Sequence, residues 1–444
     1  MLQVLRFTQD DKRIVFLGTV RIIHLNTYAG NGGAGKACLR INKALQDQGM
    51  DSRVYVNFSF RKNNQVHNLS EGIFSKWVAV FGILFERIAS KVFTKALPVP
   101  FSVPVWGRNI AKRDFLKSAD IIHIHWVNHA FLKPGNLAQL ATLNKPIVWT
   151  FHDSNAFTGG CHVRYSCLHY KQECGQCPLL KNPSDHDLSH RIWLDKQKSY
   201  RDLLLNIIAP SNWMALSVKE SKLLGSRPVQ VIPNTLDTQI FKPYSKSDSC
   251  KKLGLPEDKF ILMSGFMPSR KDMHKGTPYL LEAFSILLRD FKIEPDEMEL
   301  VIFGNRNDKD VPEFGLKTTF LGTIAEEEKL ALCYSAADAF ISPSLEDNLP
   351  YTVMESLACG TPVVAFTTGG IPDMVQHLEN GYLAEYKSAK DLAAGIHWVY
   401  AHPQREKLNE CARKTIEEKF SEELIANRHI QLYQTLLNQV HVPA

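Results

Sequence analysis

Two acids and a helix start carry the strongest chemical signal in this chain. Asp347 and Glu355 lie eight residues apart in Ser344-Leu345-Glu346-Asp347-Asn348-Leu349-Pro350-Tyr351-Thr352-Val353-Met354-Glu355. A carboxylate offers two acceptor oxygens in one plane, which suits the vicinal hydroxyls of a sugar and of a ribose. The run reads as strand, loop and short helix. Asp338–Ser342 is an apolar run fit for a buried parallel strand, Asn348 can cap a helix, and Pro350 fits a first turn. Met354, Leu357 and Ala358 share one face, and Gly360 and Pro362 end the helix before strand Val363–Phe366. The Tyr351 and Thr352 amides then point toward an anion at the carboxyl end of a strand. One such Glu alone reads as a solvated surface residue; two acids beside a helix start read as a ligand site.

Further groups with chemistry stand at other strand ends. Ser269-Arg270-Lys271-Asp272-Met273-His274-Lys275-Gly276 follows the strand Phe260–Gly265. Loops often carry basic residues as solvated surface, so these cations by themselves assign no role. Gly30-Asn31-Gly32-Gly33-Ala34-Gly35-Lys36-Ala37 follows the strand Val20–Asn26 and opens a helix to about Leu45. It nearly matches a P-loop, but Ala37 stands where a magnesium-binding Ser or Thr is needed. It also has the glycine spacing of a dinucleotide site, yet Asn57-Phe58 stands where the acid belongs. What remains is a tight strand-to-helix turn. Asp120–Trp126 is a buried strand whose His123 and His125 read as structural, and Pro146–Phe151 is a strand delivering His152 and Asp153 at its end.

Cys161, Cys167, Cys174 and Cys177 follow in Cys-x5-Cys-x6-Cys-x2-Cys spacing. Four thiolates satisfy the ligand count of a structural zinc site, which leaves no open position for catalysis. In an oxidising compartment disulfides are the rival reading. Ile73–Lys95 reads as an amphipathic helix edged by Lys76, Arg87, Lys91 and Lys95, too short and too charged to span a bilayer. It either packs on its domain or docks on anionic lipid.

With 444 residues the chain has room for two domains with full cores. A net charge of +6 is compatible with anionic substrates or an anionic membrane surface. No aromatic-basic interleaving speaks for nucleic acid. Gln9-Asp10-Asp11-Lys12-Arg13 breaks any signal-peptide core, and nine cysteines suit a reducing compartment, so the cytoplasm is expected.

The 344–355 run resembles the acid-x7-acid motif of the retaining family 4 glycosyltransferases. Its Glu-Asp-Asn-Leu-Pro variant is similar to enzymes of colanic-acid-type and other extracellular polysaccharide assembly. The resemblance runs from about Arg21 to the C-terminus. It implies an α/β chain of GT-B fold, with two Rossmann-like doubly wound domains facing across a cleft. The expected divisions are an extension at 1–19, an acceptor-binding domain at 20–227, and a nucleotide-sugar-binding domain at 228–420. A C-terminal helix at 421–444 is expected to cross back to the first domain. The resemblance further implies transfer of a hexose, with retention, from a nucleoside diphosphate sugar to a hydroxyl of a glycan or lipid-linked acceptor.

The same resemblance assigns roles. Lys275 and Arg270 grip the diphosphate, aided by the Tyr351 and Thr352 amides, and Glu355 holds the ribose. Asp347 or Glu346 meets the sugar, since the usual first acid is Glu. His152 lines the cleft, Gly33 marks the closest backbone approach, and many bacterial relatives carry the four-cysteine cluster. No catalytic metal is expected, because no Asp-x-Asp stands where such an ion would be held. The rival readings are a sugar-nucleotide 2-epimerase of the same fold and a non-catalytic, zinc-braced glycan-binding protein.

Overall fold

The structure, a computed structural model, describes residues 20–30, 32–59, 66–95, 100–265, 274–304 and 312–441. The extension at 1–19 and Arg270 lie outside the described residues. The chain forms two compact units. The first takes the chain up to Ala209, then Ala215–Ile232 and the end of the chain from Ile425; the second takes Pro210–Met214 and Pro233–Leu424.

The first unit is built on a seven-stranded sheet. Its strands are β1 (Arg21–Tyr28), β2 (Asp51–Phe58), β3 (Val66–Asn68), β4 (Ile121–Ile124), β5 (Ile147–Thr150), β6 (Leu205–Ala209) and β7 (Val229–Val231). They lie in the order β3-β2-β1-β4-β5-β6-β7, every pair parallel. β4 and β5 are buried throughout, as apolar strands of a sheet covered on both faces must be. Two strands differ from the sequence reading. Val229–Val231, which falls past the expected domain boundary at residue 227, is the last strand of this sheet, and Val66–Asn68 extends its other edge. Three residues are too few to display a period.

The second unit carries β8 (Phe260–Gly265), β9 (Met298–Phe303), β10 (Lys317–Gly322), β11 (Ala339–Ser342), β12 (Val363–Phe366) and β13 (Gly381–Ala384). Their order is β10-β9-β8-β11-β12-β13, again all parallel. Counted from its own first strand this is the doubly wound dinucleotide-fold order, which reverses between β8 and β11.

Six helices carry or flank the candidate residues: α1 (Gly32–Asp47), α2 (Ile73–Phe93), α3 (Leu188–Tyr200), α4 (Thr277–Asp290), α5 (Tyr351–Ala358) and α6 (Glu422–His441). From Ile425 onward α6 belongs to the first unit. There Ile425, Ile430, Tyr433 and Leu436 pack into one core with Ile22, Ile121, Val148 and Ile208. α5 is held down by Met354, Leu357 and Ala358, all fully buried; each of the two large side chains contributes about 1.5–3 kcal/mol by leaving water.

Candidate functional site

In the second unit the candidate residues gather at the carboxyl ends of β8 and β11, where the strand order reverses. Lys275 follows β8 and Asp347 follows β11, and Lys275 Nζ lies 3.1 Å from Asp347 Oδ2. Their side chains are 34% and 25% exposed, so the ion pair is partly screened and within reach of a ligand.

Glycines make this approach possible. Gly276 caps α4 with a φ of 71°, a left-handed conformation that favours glycine. A Cβ there would overlap the carbonyl oxygen of Pro343. The Leu345 amide donates to the His274 carbonyl at 2.9 Å, a second tie between the two loops. From the β12 side the Gly370 amide donates to the Asp347 carbonyl at 3.1 Å, and Thr368 Oγ1 donates to the Leu345 carbonyl at 2.9 Å. A Cβ on Gly369 would overlap that same Asp347 oxygen.

The start of α5 departs from the expected capping. Pro350 is the N-cap, with φ −67° and ψ 124°, and Tyr351 is the first helical residue. Asn348 instead accepts from Ser211 Oγ through Oδ1 at 2.7 Å, which pins the loop. Pro350 has the φ that either position accepts, so it settles one residue outside the turn. The amides of Tyr351 and Thr352 still open the helix on the side of the loop. Of the two candidate first acids, Asp347 meets Lys275, whereas Glu346 is 7% exposed and lies near Tyr386, whose pKa is raised first by burial and then by the Glu346 charge. Glu355 is 1% exposed and accepts from the Tyr334 hydroxyl at 3.1 Å. Burial and the Glu355 charge push the Tyr334 phenol well up, so it remains a donor. Tyr334 was not singled out from sequence; nothing local marks it.

In the first unit Gly30 and Gly32 both have positive φ, 71° and 72°, and make the turn into α1. Gly35 packs on Gly30, where a Cβ would come within 3.1 Å of its backbone. Around Gly33 the space is open.

His152 ends a hydrogen-bonded chain that runs from β2 through β1 to the ends of β4 and β5. Ser52 Oγ donates to Asn42 Oδ1 at 2.8 Å. His24 Nε2 lies 3.0 Å from Ser52 Oγ, His24 Nδ1 lies 3.0 Å from His125 Nε2, and His125 Nδ1 lies 3.0 Å from His152 Nε2. Burial lowers the pKa of His24 to about 3 and, against the raising influence of Asp153, that of His152 to about 4. Burial, then the neighbouring imidazoles, lowers His125 as well. All three rings are therefore neutral near pH 7, and each nitrogen pair shares one proton. Because the Ser52 proton goes to Asn42, Ser52 accepts from His24 Nε2–H, His24 Nδ1 accepts from His125, and His125 Nδ1 accepts from His152 Nε2–H. The chain thus sets the tautomer of His152, with the lone pair on Nδ1. His123 is tied separately, to Tyr433 at 2.7 Å and Thr150 at 2.8 Å.

Asp153 fixes the loop beyond His152. It accepts from Trp126 Nε1 at 2.8 Å, from the Asn155 amide at 2.9 Å and lies 2.6 Å from His162 Nδ1. Burial alone would raise its pKa, but His162 and these donors hold it below the usual carboxylate range.

Cys161, Cys167, Cys174 and Cys177 are free thiols lining one small cavity of about 20 Å³ together with His169. Beside them Lys196 of α3 is buried, its Nζ donating to the carbonyls of Asn155 and Thr158. Burial brings its pKa down to about 8, against the raising influence of Cys174 and Cys161. Among the described residues, the group of potential ligands whose atoms all lie within 4.8 Å of one another is His24, Cys38 and His125. Two of these already belong to the histidine chain, and the four thiols line their cavity more loosely.

Comparison with known proteins identifies the fold and then the domains. The protein has the GT-B fold of glycosyltransferases. Anabaena HepE, in a crystal structure in complex with UDP, matches with a TM-score of 0.61 at 17% identity, covering 94% of this chain and 100% of that one. Residues 31–240 match the family Glycosyltransferase Family 4, and residues 245–416 match Glycosyl transferases group 1. The chain therefore carries this pair of glycosyltransferase domains.

Among curated relatives, a D-inositol 3-phosphate glycosyltransferase of Nocardiopsis dassonvillei is 26% identical over 208 residues, 44% of this chain and 48% of its own. The match thus spans about half the length of that relative. A putative colanic acid biosynthesis glycosyl transferase of Escherichia coli is 21% identical over 365 residues, 80% of this chain and 85% of its own.

Proposed function

We propose that the protein transfers a hexose from a nucleoside diphosphate sugar to a hydroxyl of a glycan or lipid-linked acceptor, with retention at the anomeric carbon. The observation that carries this reading is the Lys275–Asp347 pair at the strand-order reversal, beside the start of α5. A diphosphate seated there takes Lys275 and the α5 amides as counter-charge, stabilising the negative charge that grows as the sugar leaves. Asp347 and Glu355 accept from hydroxyls of the sugar and the ribose. The departing phosphate takes the acceptor's proton on the same face, so no separate base is required and the configuration is kept. The UDP bound by Anabaena HepE supports a nucleotide donor, and the name of the Escherichia coli relative supports a place in extracellular polysaccharide assembly.

We infer as well that the four cysteines hold a structural zinc ion. The donor set is one that zinc prefers, and the buried Lys196 offsets the charge of four thiolates. When bound, the ion would brace the loop after His152 and take no part in transfer. The acceptor, if lipid-linked, is met at an anionic membrane.

The transfer reading is tested by incubating the protein with labelled nucleoside diphosphate sugars and candidate lipid-linked glycans. Label should pass to the acceptor with its anomeric configuration retained. An epimerised donor formed without acceptor would replace this reading with that of an epimerase, and an inverted product would remove retention. Elemental analysis of the purified protein should find one zinc per chain, lost on replacing Cys174 and Cys177 by Ser.

A further inference from the structure

α2 is mounted by a narrow stripe and, among the described residues, leaves an apolar face uncovered. Its buried residues are Ala79, Gly82 and Glu86. Gly82 lies against Trp106 and Ala130, where a Cβ would come within 2.9 Å of the Ala130 Cβ. Glu86 accepts from the Ala130 amide at 2.5 Å, Ser90 Oγ donates to the Phe101 carbonyl at 2.8 Å, and Lys181 Nζ donates to the carbonyls of Lys91 and Val92 at 2.8 and 2.9 Å. The helix is thereby held firmly on one side.

The opposite side carries Phe74, Trp77, Phe81, Leu84, Ile88 and Val92, each 50–82% exposed. Their steps of three and four residues place them on one face, along a helix about 30 Å long. A contiguous apolar surface of this kind is uncommon unless something covers it. The acid of α2, Glu86, points inward, while Lys76, Arg87 and Lys91 are exposed. Every exposed charge on the helix is therefore positive, and successive turns set these cations along one edge of the apolar band.

We propose that this face of α2 docks on an anionic lipid bilayer, lying in the plane of the interface. The composition is that of an interfacial helix: an apolar band for the acyl boundary, a tryptophan within it, and cations at the level of the headgroups. A second copy packed antiparallel on the same face would set this cationic edge against its own counterpart, which disfavours that mode of self-association. Among the described residues no helix is long and apolar enough to cross a membrane, so the contact is one of lying on the surface. Vesicle binding needs no sugar donor, so it succeeds or fails apart from the transfer reaction.

The test is flotation of the full chain with vesicles of phosphatidylcholine alone or mixed equally with phosphatidylglycerol. Binding is expected to the anionic vesicles at low salt, and replacing Lys76, Arg87 and Lys91 by Gln should weaken it roughly a hundredfold. The pair Phe81→Ser and Leu84→Ser should abolish it with the circular dichroism spectrum unchanged, since both side chains face outward. Brominated lipid should quench wild-type fluorescence more than that of Trp77→Phe, a readout that needs no disruptive variant. Failure to float with anionic vesicles, binding indifferent to the Phe81/Leu84 pair, or quenching indifferent to Trp77 would overturn the proposal. So would a dimer in sedimentation that the same pair dissolves, because a second copy would then cover the face.

Discussion

Lys275 and Asp347 lie 72 residues apart in sequence and 3.1 Å apart in space, joined across the reversal of strand order in the second unit. Two glycines whose side-chain positions are occupied by backbone, Gly276 and Gly369, make that approach possible. The pair, and the loops behind it, lead to separate expectations.

Gly276→Ala should be severe and Gly33→Ala mild. At Gly276 a methyl group meets both the φ of 71° and the Pro343 carbonyl, so a loss of more than about 2 kcal/mol is expected. At Gly33, inside α1 with open space around it, alanine should cost nothing in stability or add about 0.5–1 kcal/mol. Denaturant titration of the two variants checks the contrast; equal losses would contradict it.

Tyr334→Phe removes the hydroxyl that serves Glu355 and leaves a buried carboxylate with one donor fewer. The expected cost is about 1–3 kcal/mol of stability. Weaker donor binding should accompany it, because Glu355 is no longer held in place. Denaturant titration alongside calorimetric titration with UDP reads both, and an unchanged midpoint would show that the hydroxyl does not hold Glu355.

Acid should destabilise the first unit in a defined window. The folded pKa values of His24, His152 and His429 are lowered to about 3, about 4 and about 4, while an unfolded histidine titrates near 6.5. Between these values the unfolded chain binds more protons. The stabilisation is thus complete above pH 6.5 and is lost as pH falls toward 4, at up to about 1.4 kcal/mol per pH unit for each histidine. Denaturant midpoints at pH 7 and pH 5 measure it; a stability flat across that interval would contradict burial of neutral rings.

The histidine chain also predicts a single tautomer. Nitrogen NMR of labelled protein should show His24, His125 and His152 protonated at Nε2. Asn42→Leu removes the acceptor of the Ser52 proton and should allow the polarity of the chain to reverse. A wild-type His152 protonated at Nδ1 would contradict the account.

Much of the second unit was legible because its signals are local. β8 and β12 fall on the apolar runs Phe260–Gly265 and Val363–Phe366, and α5 ends where Gly360 follows it. The capping of α5 was misread because Asn348 has a competing partner, Ser211, that no local pattern reveals. β3 and β7 are too short to show a period. The link from Asn42 to His152 joins residues of different strands through their side chains. Single histidines in apolar runs carry no mark of such a partnership, so His123 and His125 could be read as structural without the chain being seen. Arg270 falls outside the described residues, and Lys275 alone represents the basic loop in the geometry.

The central claim is that the second unit seats a nucleoside diphosphate through Lys275, and calorimetric titration with UDP, GDP and ADP sugars tests it most directly. One base should bind selectively, and Lys275→Ala should weaken that binding by about 10- to 100-fold, as loss of a charge-assisted contact to phosphate requires, with the melting temperature of the unliganded protein little changed. Equal affinity in wild type and Lys275→Ala, or no binding of any nucleoside diphosphate sugar, would contradict the account.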